Sequence, residues 1–591
     1  MHDKIIDYIE NKEGDNFKQT EIGLIPEDWE VVKLGGYLEL LRNGTTKKQN
    51  KDGIGYPITR IETIADARID SERVGYINNF SKSEAERYLM EIEDILLSHI
   101  NSEPHLGKTA IYEGFPPTLI HGMNLLLIRA KRCFLNSYFL NFLFNFYRLK
   151  GIFINLASRA VGQSSINQGK IKALQISLPP LPEQEKIARV LSKIKQAIEQ
   201  QDKIIDATKN LKKSLMQRLF TEGVINGFMF DTNIFGHMLD NKILVENFPE
   251  NLNFFITHIQ LYELKKTRDQ NRRNMLLTIF NKIDQENIPT ESTVLGVSKL
   301  GYSKLSRKNN IYEKIKSYLD EKLLKQNNKQ DALIAETAIK NGLILVTDDS
   351  DLLEVTQKYN GEVITLKDFL SGNYRKVKET EIGLIPKSWE VVRLGGYLEL
   401  LRNGTTKKQN KDGLGYPVTR IETIADARID SERVGYINNF SKSEVERYLM
   451  EKEDILLSHI NSEPHLGKSA IYEGFPPTLI HGMNLLLIRA KRCFLNSYFL
   501  NYLFNFYRLK GIFINLASRA VGQSSINQGK IKALQIPLPP LPEQQEITNI
   551  LSTLGKKIEV EESRKSILKE LFKTMLHKLM TGEIRLKDIN I

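Results

Sequence analysis

One stretch of this chain carries acidic residues where a fold could gather them. Asp231 ends the apolar run FMFDTN, Glu263 lies in LYELKK, Asp331 opens DALIAETAI, and Asp348, Asp349 and Asp351 follow LILVT. Carboxylates at strand ends and helix starts converge at the carboxyl edge of a parallel sheet, where α/β proteins place their sites. Hard oxygen donors without His or Cys suit magnesium or manganese, which activate water for attack on a phosphodiester. The same acids also have plain structural roles, Asp331 as a helix cap and TDDSD as a turn.

A second set of residues suits nucleic acid. Arg42, Asn43, Gly44, Thr45, Thr46, Lys47, Lys48, Gln49, Asn50 and Lys51 combine cations, hydroxyls and amides without a large apolar residue. That mixture supplies phosphate contacts and base-edge hydrogen bonds together. The loop returns as Arg402, Asn403, Thr405, Thr406, Lys407 and Lys408. Smaller polar clusters are Ser98, His99, Asn101 and Ser102, and Ser158, Arg159, Gly162, Gln163, Ser164 and Asn167, with counterparts that include His459, Asn461, Arg519 and Gln523. Each cluster read alone is equally a solvated surface loop.

The elements that must position these residues follow from a repeat. EIGLIPEDWEVVKLGGYLELLRNGTTKKQN from Glu21 recurs from Glu381, and the copies stay in register to LPEQ at 181–184 and 541–544 with about ten substitutions. Solenoid repeats have periods of about 20–50 residues, so a period this long is a duplicated domain. After each copy, apolar residues recur at spacings of three and four: Ile187, Leu191, Ile194 and Ile198, then Ile547, Leu551, Leu554 and Ile558. The pattern predicts two long helices with coiled-coil seams, starting just after the prolines at 179, 180 and 182. Two such rods in one chain are expected to pair. The aromatic run from Tyr138 to Tyr147 reads as a core helix in preference to a base-stacking surface. The intervening stretch alternates apolar strand runs with helical patterns, which predicts a small parallel α/β domain.

The expected organisation is an N-terminal extension (1–18), a first repeated domain (19–180), a helix (181–223), the α/β insert (224–373), a second repeated domain (374–540), a helix (541–582) and a tail (583–591). The chain has 591 residues, of which 41% are hydrophobic and 26% charged, so it is neither one small module nor disordered throughout. Its net charge is +11, and the insert is close to neutral, so the basic excess belongs to the repeated part. That excess favours a polyanionic partner. Cys133 and Cys493 are the only cysteines, which excludes a disulfide framework and a Cys-rich zinc site and suits a cytoplasmic setting. The first residues have no apolar signal core, and no apolar run approaches the ~18 residues of a membrane-spanning helix. Gly107, Lys108 and Thr109 resemble part of a phosphate loop, but Ser102 stands where that motif needs glycine, so ATP binding is not expected.

The segments EIGLIPEDWEVVKLG, LGKTAIYEG, SINQGKIKALQISLPPLPEQ and the endings LMQRLFTEG and LMTGEIRL resemble the specificity subunit of type I restriction-modification enzymes. The resemblance covers residues 15–223 and 375–586. It implies two target-recognition domains that each read half of a bipartite double-stranded DNA site. It also implies antiparallel helices that space the domains and dock methyltransferase subunits, and through them restriction subunits. The seam residues Ile187, Leu191, Ile194, Ile198, Ile547, Leu551, Leu554 and Ile558 are the expected partner-binding stripe. The scaffold part is expected to need no cofactor and to perform no chemistry, because Phe115, Pro116, Pro117 and Thr118 are the only run similar to the Asn/Asp-Pro-Pro-Tyr/Phe methylation motif. Near-identical readers on antiparallel helices are expected to read a split palindrome.

The acids of the insert, in their order, resemble those of a PIN domain, a Rossmann-like α/β nuclease fold found in toxin ribonucleases. That resemblance makes Asp231, Glu263, Asp331 and Asp349 the catalytic and metal-binding set for magnesium or manganese, with Asp351 as an additional ligand and Asn233 and Thr347 in support. It implies RNA as a substrate. An inert spacer is the alternative for the insert.

Overall fold

The computed structural model describes residues 16–587 except 51, 66–67, 79, 161–162, 225–226, 249–251, 284, 300, 305–310, 323–327, 375–376, 411, 426 and 521–522. Most of the N-terminal extension and the last residues of the tail therefore lie outside the described residues. The chain forms two compact units, Met1–Thr208 with Lys557–Ile591, and Lys209–Lys556.

In the first unit the repeated domain is built on strands β1 (Leu38–Asn43), β2 (Ile64–Ala65), β3 (Arg68–Ile69), β4 (Ile95–Ser98), β5 (Ile100–Asn101), β6 (Thr109–Ile111), β7 (Leu125–Ala130), β8 (Ser158–Ala160) and β9 (Gln163–Ser165). Six form one sheet in the order β1-β7-β4-β6-β3-β2, and β5, β9 and β8 form a small sheet beside it. The central strands ILLS and LLLIRA do not alternate polar with apolar because both faces are covered. Ile95, Leu97, Leu126 and Ile128 join the main core, while Leu96, Leu125 and Leu127 pack into a second cluster on the opposite face. Helix α1 (Ser137–Leu149) covers the main face, with Phe139, Phe142, Phe144 and Tyr147 buried, so the aromatic run is a core helix as expected. Asn136 caps it, its Oδ1 accepting from the Phe139 amide at 3.0 Å.

The two long helices span Leu181–Thr221 and Leu541–Thr581, 41 residues each, or about 60 Å. They start earlier than the prolines suggested: Pro182 and Pro542 lie inside the first turn. A first-turn N–H has no acceptor within its own helix, so proline is tolerated there. Within the first unit the helices run antiparallel. Glu183 of the first meets Arg585 just beyond the end of the second, at 2.8 Å, and Gln201 donates to Glu561 at 2.6 Å.

The seam residues assigned to partner docking require a correction. Ile187 and Leu191 are fully buried in the core of the first repeated domain, and Ile547 and Leu551 in that of the second. Ile558 is also buried, and Ile194, Ile198 and Leu554 are half-buried. The apolar stripe that looked available to a partner closes this chain's own cores. Exposed apolar side chains of the second helix in the first unit are instead Val560, Ile567 and Leu571.

The second unit repeats the six-stranded sheet between Leu398 and Ala490 in the same strand order, with its aromatic helix at Ser497–Leu509. Here the end of the first long helix completes the core, with the Phe220 ring stacked 5.2 Å from Phe506. The insert contains β10 (Phe228–Phe230), α2 (Thr232–Asp240), β11 (Phe254–Ile256), α3 (His258–Lys265), β12 (Gln285–Asn287), α4 (Asn328–Lys340), β13 (Ile344–Val346), α5 (Ser350–Lys358) and β14 (Val363–Ile364). Its five strands are all parallel, ordered β12-β11-β10-β13-β14, as the alternation of strand and helix predicted.

Candidate nucleic-acid interface and acidic site

Strand register gathers the polar clusters at one edge of the six-stranded sheet. Asn43 ends β1 opposite Leu126, Ser98 ends β4 opposite Leu125, and Thr109 starts β6 opposite Leu97. The loops 43–50, 98–108 and 121–125 therefore leave from the same edge. Paired strands β8 and β9, which carry Arg159 and Gln163, join them because β9 pairs with β5, Asn101 facing Ser164. Three clusters far apart in sequence thus become one surface.

The Arg42–Asn50 loop is held in shape. The Thr45 amide donates to the His121 carbonyl at 3.2 Å, and His121 Nε2 lies 3.0 Å from the Asn43 carbonyl. Burial holds the His121 imidazole below its usual pKa, against the pull of two carbonyl partners, those of Tyr88 and Asn43. Gly44 and Gly122 meet back to back; a Cβ on Gly44 would stand 1.9 Å from the Gly122 carbonyl oxygen. Lys47 pairs with Glu84 at 2.9 Å and lies over the Phe80 ring. That lysine keeps the Glu84 carboxyl at about 2. Arg42 donates to the Arg87 carbonyl, and Arg159 pairs with Glu103 at 2.9 Å.

Not every assigned residue faces outward. Asn43, Thr46, Lys48 and Gln163 are exposed and Asn101 half-buried, whereas Thr45 and His99 are buried, as are Thr405 and His459. Burial lowers His459 to about 4, so it is neutral at ordinary pH. The second copy repeats the bracing: Lys407 pairs with Glu444 at 2.8 Å, Arg402 donates to the Arg447 carbonyl, and Asn461 donates to Ser458 at 3.1 Å. The side chain of Arg519 lies outside the described residues, while Asn403, Thr406, Lys408 and Gln523 occupy the same places as their counterparts. Sequence reasoning missed the brace formed by His121, Gly122 and the helix that carries Glu84. The glycine in HGMN, after an apolar run and before another, was its only visible signal.

In the insert, Asp231 lies where β10 passes into α2. Its Oδ1 accepts from the Thr232 amide at 2.7 Å and its Oδ2 from the Thr347 hydroxyl at 2.8 Å. Thr232 donates in turn to Glu263 at 2.5 Å. Burial raises the Asp231 carboxyl to about 6, and the charges of Glu263 and Asp349 push the same way. Burial also raises Glu263. The Oδ1 of Asn233 is buried without a hydrogen-bond partner.

Two of the other acids, Asp349 and Asp348, have structural partners. Asp349 caps α5, accepting from the amides of Asp351 and Leu352. Asp348 lies 2.7 Å from His237 Nδ1, and Asp331 occupies the first turn of α4. Among the described residues no group of three or more His, Cys, Asp and Glu is gathered closely enough to hold a metal ion. The expected set of Asp231, Glu263, Asp331, Asp349 and Asp351 does not form such a group, although the Glu263 and Asp349 charges act on Asp231.

No described helix is long and apolar enough to cross a membrane. Residues 26–208 and 386–570 match the family described as type I restriction modification DNA specificity domain. A putative type I restriction enzyme MjaX specificity subunit of Methanocaldococcus jannaschii is 50% identical over 232 residues, 39% of this chain and 55% of that protein. The type I restriction enzyme EcoKI specificity subunit of Escherichia coli K12 is 26% identical over 186 residues, 30% of this chain and 40% of that protein. The chain spans about half the length of the curated relatives it matches. Among solved structures, a type I restriction-modification S subunit from M. genitalium aligns with a TM-score of 0.46 at 12% identity, covering 96% of this chain and 97% of that one.

Proposed function

The chain belongs to the type I restriction modification DNA specificity family, and from that premise we propose that it is the sequence-reading subunit of a restriction-modification complex, binding double-stranded DNA through the two polar sheet edges. The observation that carries this reading is the convergence of the Arg42–Asn50 loop, Asn101 and Gln163 at one edge, repeated in the second copy. Exposed Thr46, Lys48 and Gln163 reach the duplex, while Thr45, His121 and the glycine pair set the loop. Chemistry on DNA comes from methyltransferase subunits, and restriction subunits join through them. The exposed residues Val560, Ile567 and Leu571 lie at spacings of seven and four, on one helix face suited to that docking. Duplex binding by the purified chain, with and without a methyltransferase partner, tests the reading. No binding in either state contradicts it.

The two copies have identical residues at 42–51, 98–102 and 158–167 and at their counterparts. Both therefore read the same half-site. Inverted half-sites, a split palindrome, are part of this proposal; within each unit by itself the start of one long helix lies beside the end of the other.

A second reading concerns the insert alone: a metal-dependent PIN-like nuclease acting on RNA. It rests on the buried Asp231 carboxyl beside Glu263, with the partnerless Asn233 Oδ1 alongside. These oxygens fit a hard cation, which Asp231, Glu263 and Asn233 would hold and which would supply an activated water. Incubation of the chain and its Asp231→Asn variant with RNA and manganese tests this. Cleavage by the parent chain alone is expected, and absence of cleavage from both makes the insert an inert spacer.

A further inference from the structure

We propose that a cationic cleft in the first unit grips the phosphate backbone of the duplex beside the reading loops, an inference that rests on the duplex-binding reading above. The cleft, of about 350 Å³, opens between α1 and the two long helices. Its wall is apolar, with the Phe142 and Phe572 rings 6.0 Å apart. Around it stand Lys108, Arg148, Lys195, Lys565 and Lys569. Two acids also line it, and both are engaged: Glu199 pairs with Arg68, and Asp202 with Lys565. Among the described residues no acid pairs with Lys108, Arg148 or Lys569, and Arg148 Nε is buried without an acceptor. Three cations at one cleft without an acid partner among the described residues, Lys108, Arg148 and Lys569, suit a polyanion.

Position selects DNA as that polyanion. The Lys108 carbonyl accepts from the Ser98 amide at 2.8 Å, so this lysine flanks the end of β4 at the reading edge. Thr109 starts β6 at the same edge, and Asn145 of α1 donates to it at 3.3 Å, tying the cleft to that edge. From β1 to β6 the edge crosses three strand spacings, roughly 14 Å, or about four base-pair rises. A duplex read by the Arg42–Asn50 loop thus presents its backbone to the cleft a few base pairs away. The second copy carries a different lining, with Gly555 at the position of Lys195 and Lys212 at that of Phe572.

The test is salt-dependent binding of the full chain to an arbitrary duplex of about 30 base pairs, between about 50 and 200 mM KCl. Each phosphate contact contributes about 0.9 to the slope of log affinity against log salt. The Lys108→Gln, Lys569→Gln variant is expected to lower that slope by roughly 1–2 and to weaken binding by roughly threefold to tenfold. Lys569→Glu, a single change at an exposed helix position, is expected to shift affinity the same way without loss of folding. Wild-type slope and affinity in both variants overturn the inference. So does an unchanged slope with lost methyltransferase association, which would make the cleft a protein-docking surface. If the wild-type chain itself binds no duplex, the parent reading falls first, and the two failures are thereby told apart.

Discussion

Asp231 shows how one side chain can work against the fold that holds it. Its carboxyl rises from 3.8 to about 6, first through burial. Between those values the folded chain keeps a proton that the unfolded chain has released, so stability falls as pH rises from about 4 to about 6. Above that window the full cost remains, roughly 3 kcal/mol for a shift of about two units. Asp231→Asn, measured with EDTA present, is therefore expected to raise the insert's melting temperature by roughly 5 °C at neutral pH and by little near pH 4. An equal effect at both pH values contradicts the account. The position of Asp231 after an apolar run was legible in the sequence because a strand-end acid has a recognisable context. The commitment of Asp349 to a helix cap was equally written there, as a turn-like TDDSD, but one sequence cannot show which of two roles an acid fills.

At the scale of elements, the seam between helix and domain decides more than the helix pattern revealed. Arg585 is almost fully buried and binds Glu183 through two nitrogens at 2.8 Å, with Asp28 on the same guanidinium. Trp29 and the Leu586 amide also donate to Glu183. Removing one member of a buried pair leaves its partner charged and unpaired, at a cost of about 3–5 kcal/mol. Arg585→Ala is thus expected to lower the unfolding free energy of the first unit by that amount in urea titration, and a change below about 1 kcal/mol contradicts it. The periodicity of Ile187 and Leu191 correctly announced a helix. It could not say what covers the stripe, because a coiled-coil seam and a domain core ask for the same spacing. Two differences between the copies answer differences between the helix ends. Phe142 meets Phe572 where Tyr502 lies under Lys212 at 5.3 Å, and Asp28 meets Arg585 where the other copy has Ser388.

For the whole molecule, the informative contrast is between what the duplication changed and what it left alone. The reading loops are identical in the two copies, whereas changes such as Phe142 to Tyr502 and Asp28 to Ser388 fall where a domain meets a helix. The repeat itself was plain in the sequence, as was the parallel insert. The assembly of three polar clusters on one edge was not, because it depends on strand register across about 120 residues of chain. Two identical readers can have only one half-site between them. The most direct measurement is base-resolved mapping of the positions methylated when this chain is combined with its methyltransferase. The account predicts one half-sequence appearing twice, on opposite strands and at a constant gap. Two unrelated halves, or the same half repeated on one strand, would contradict it.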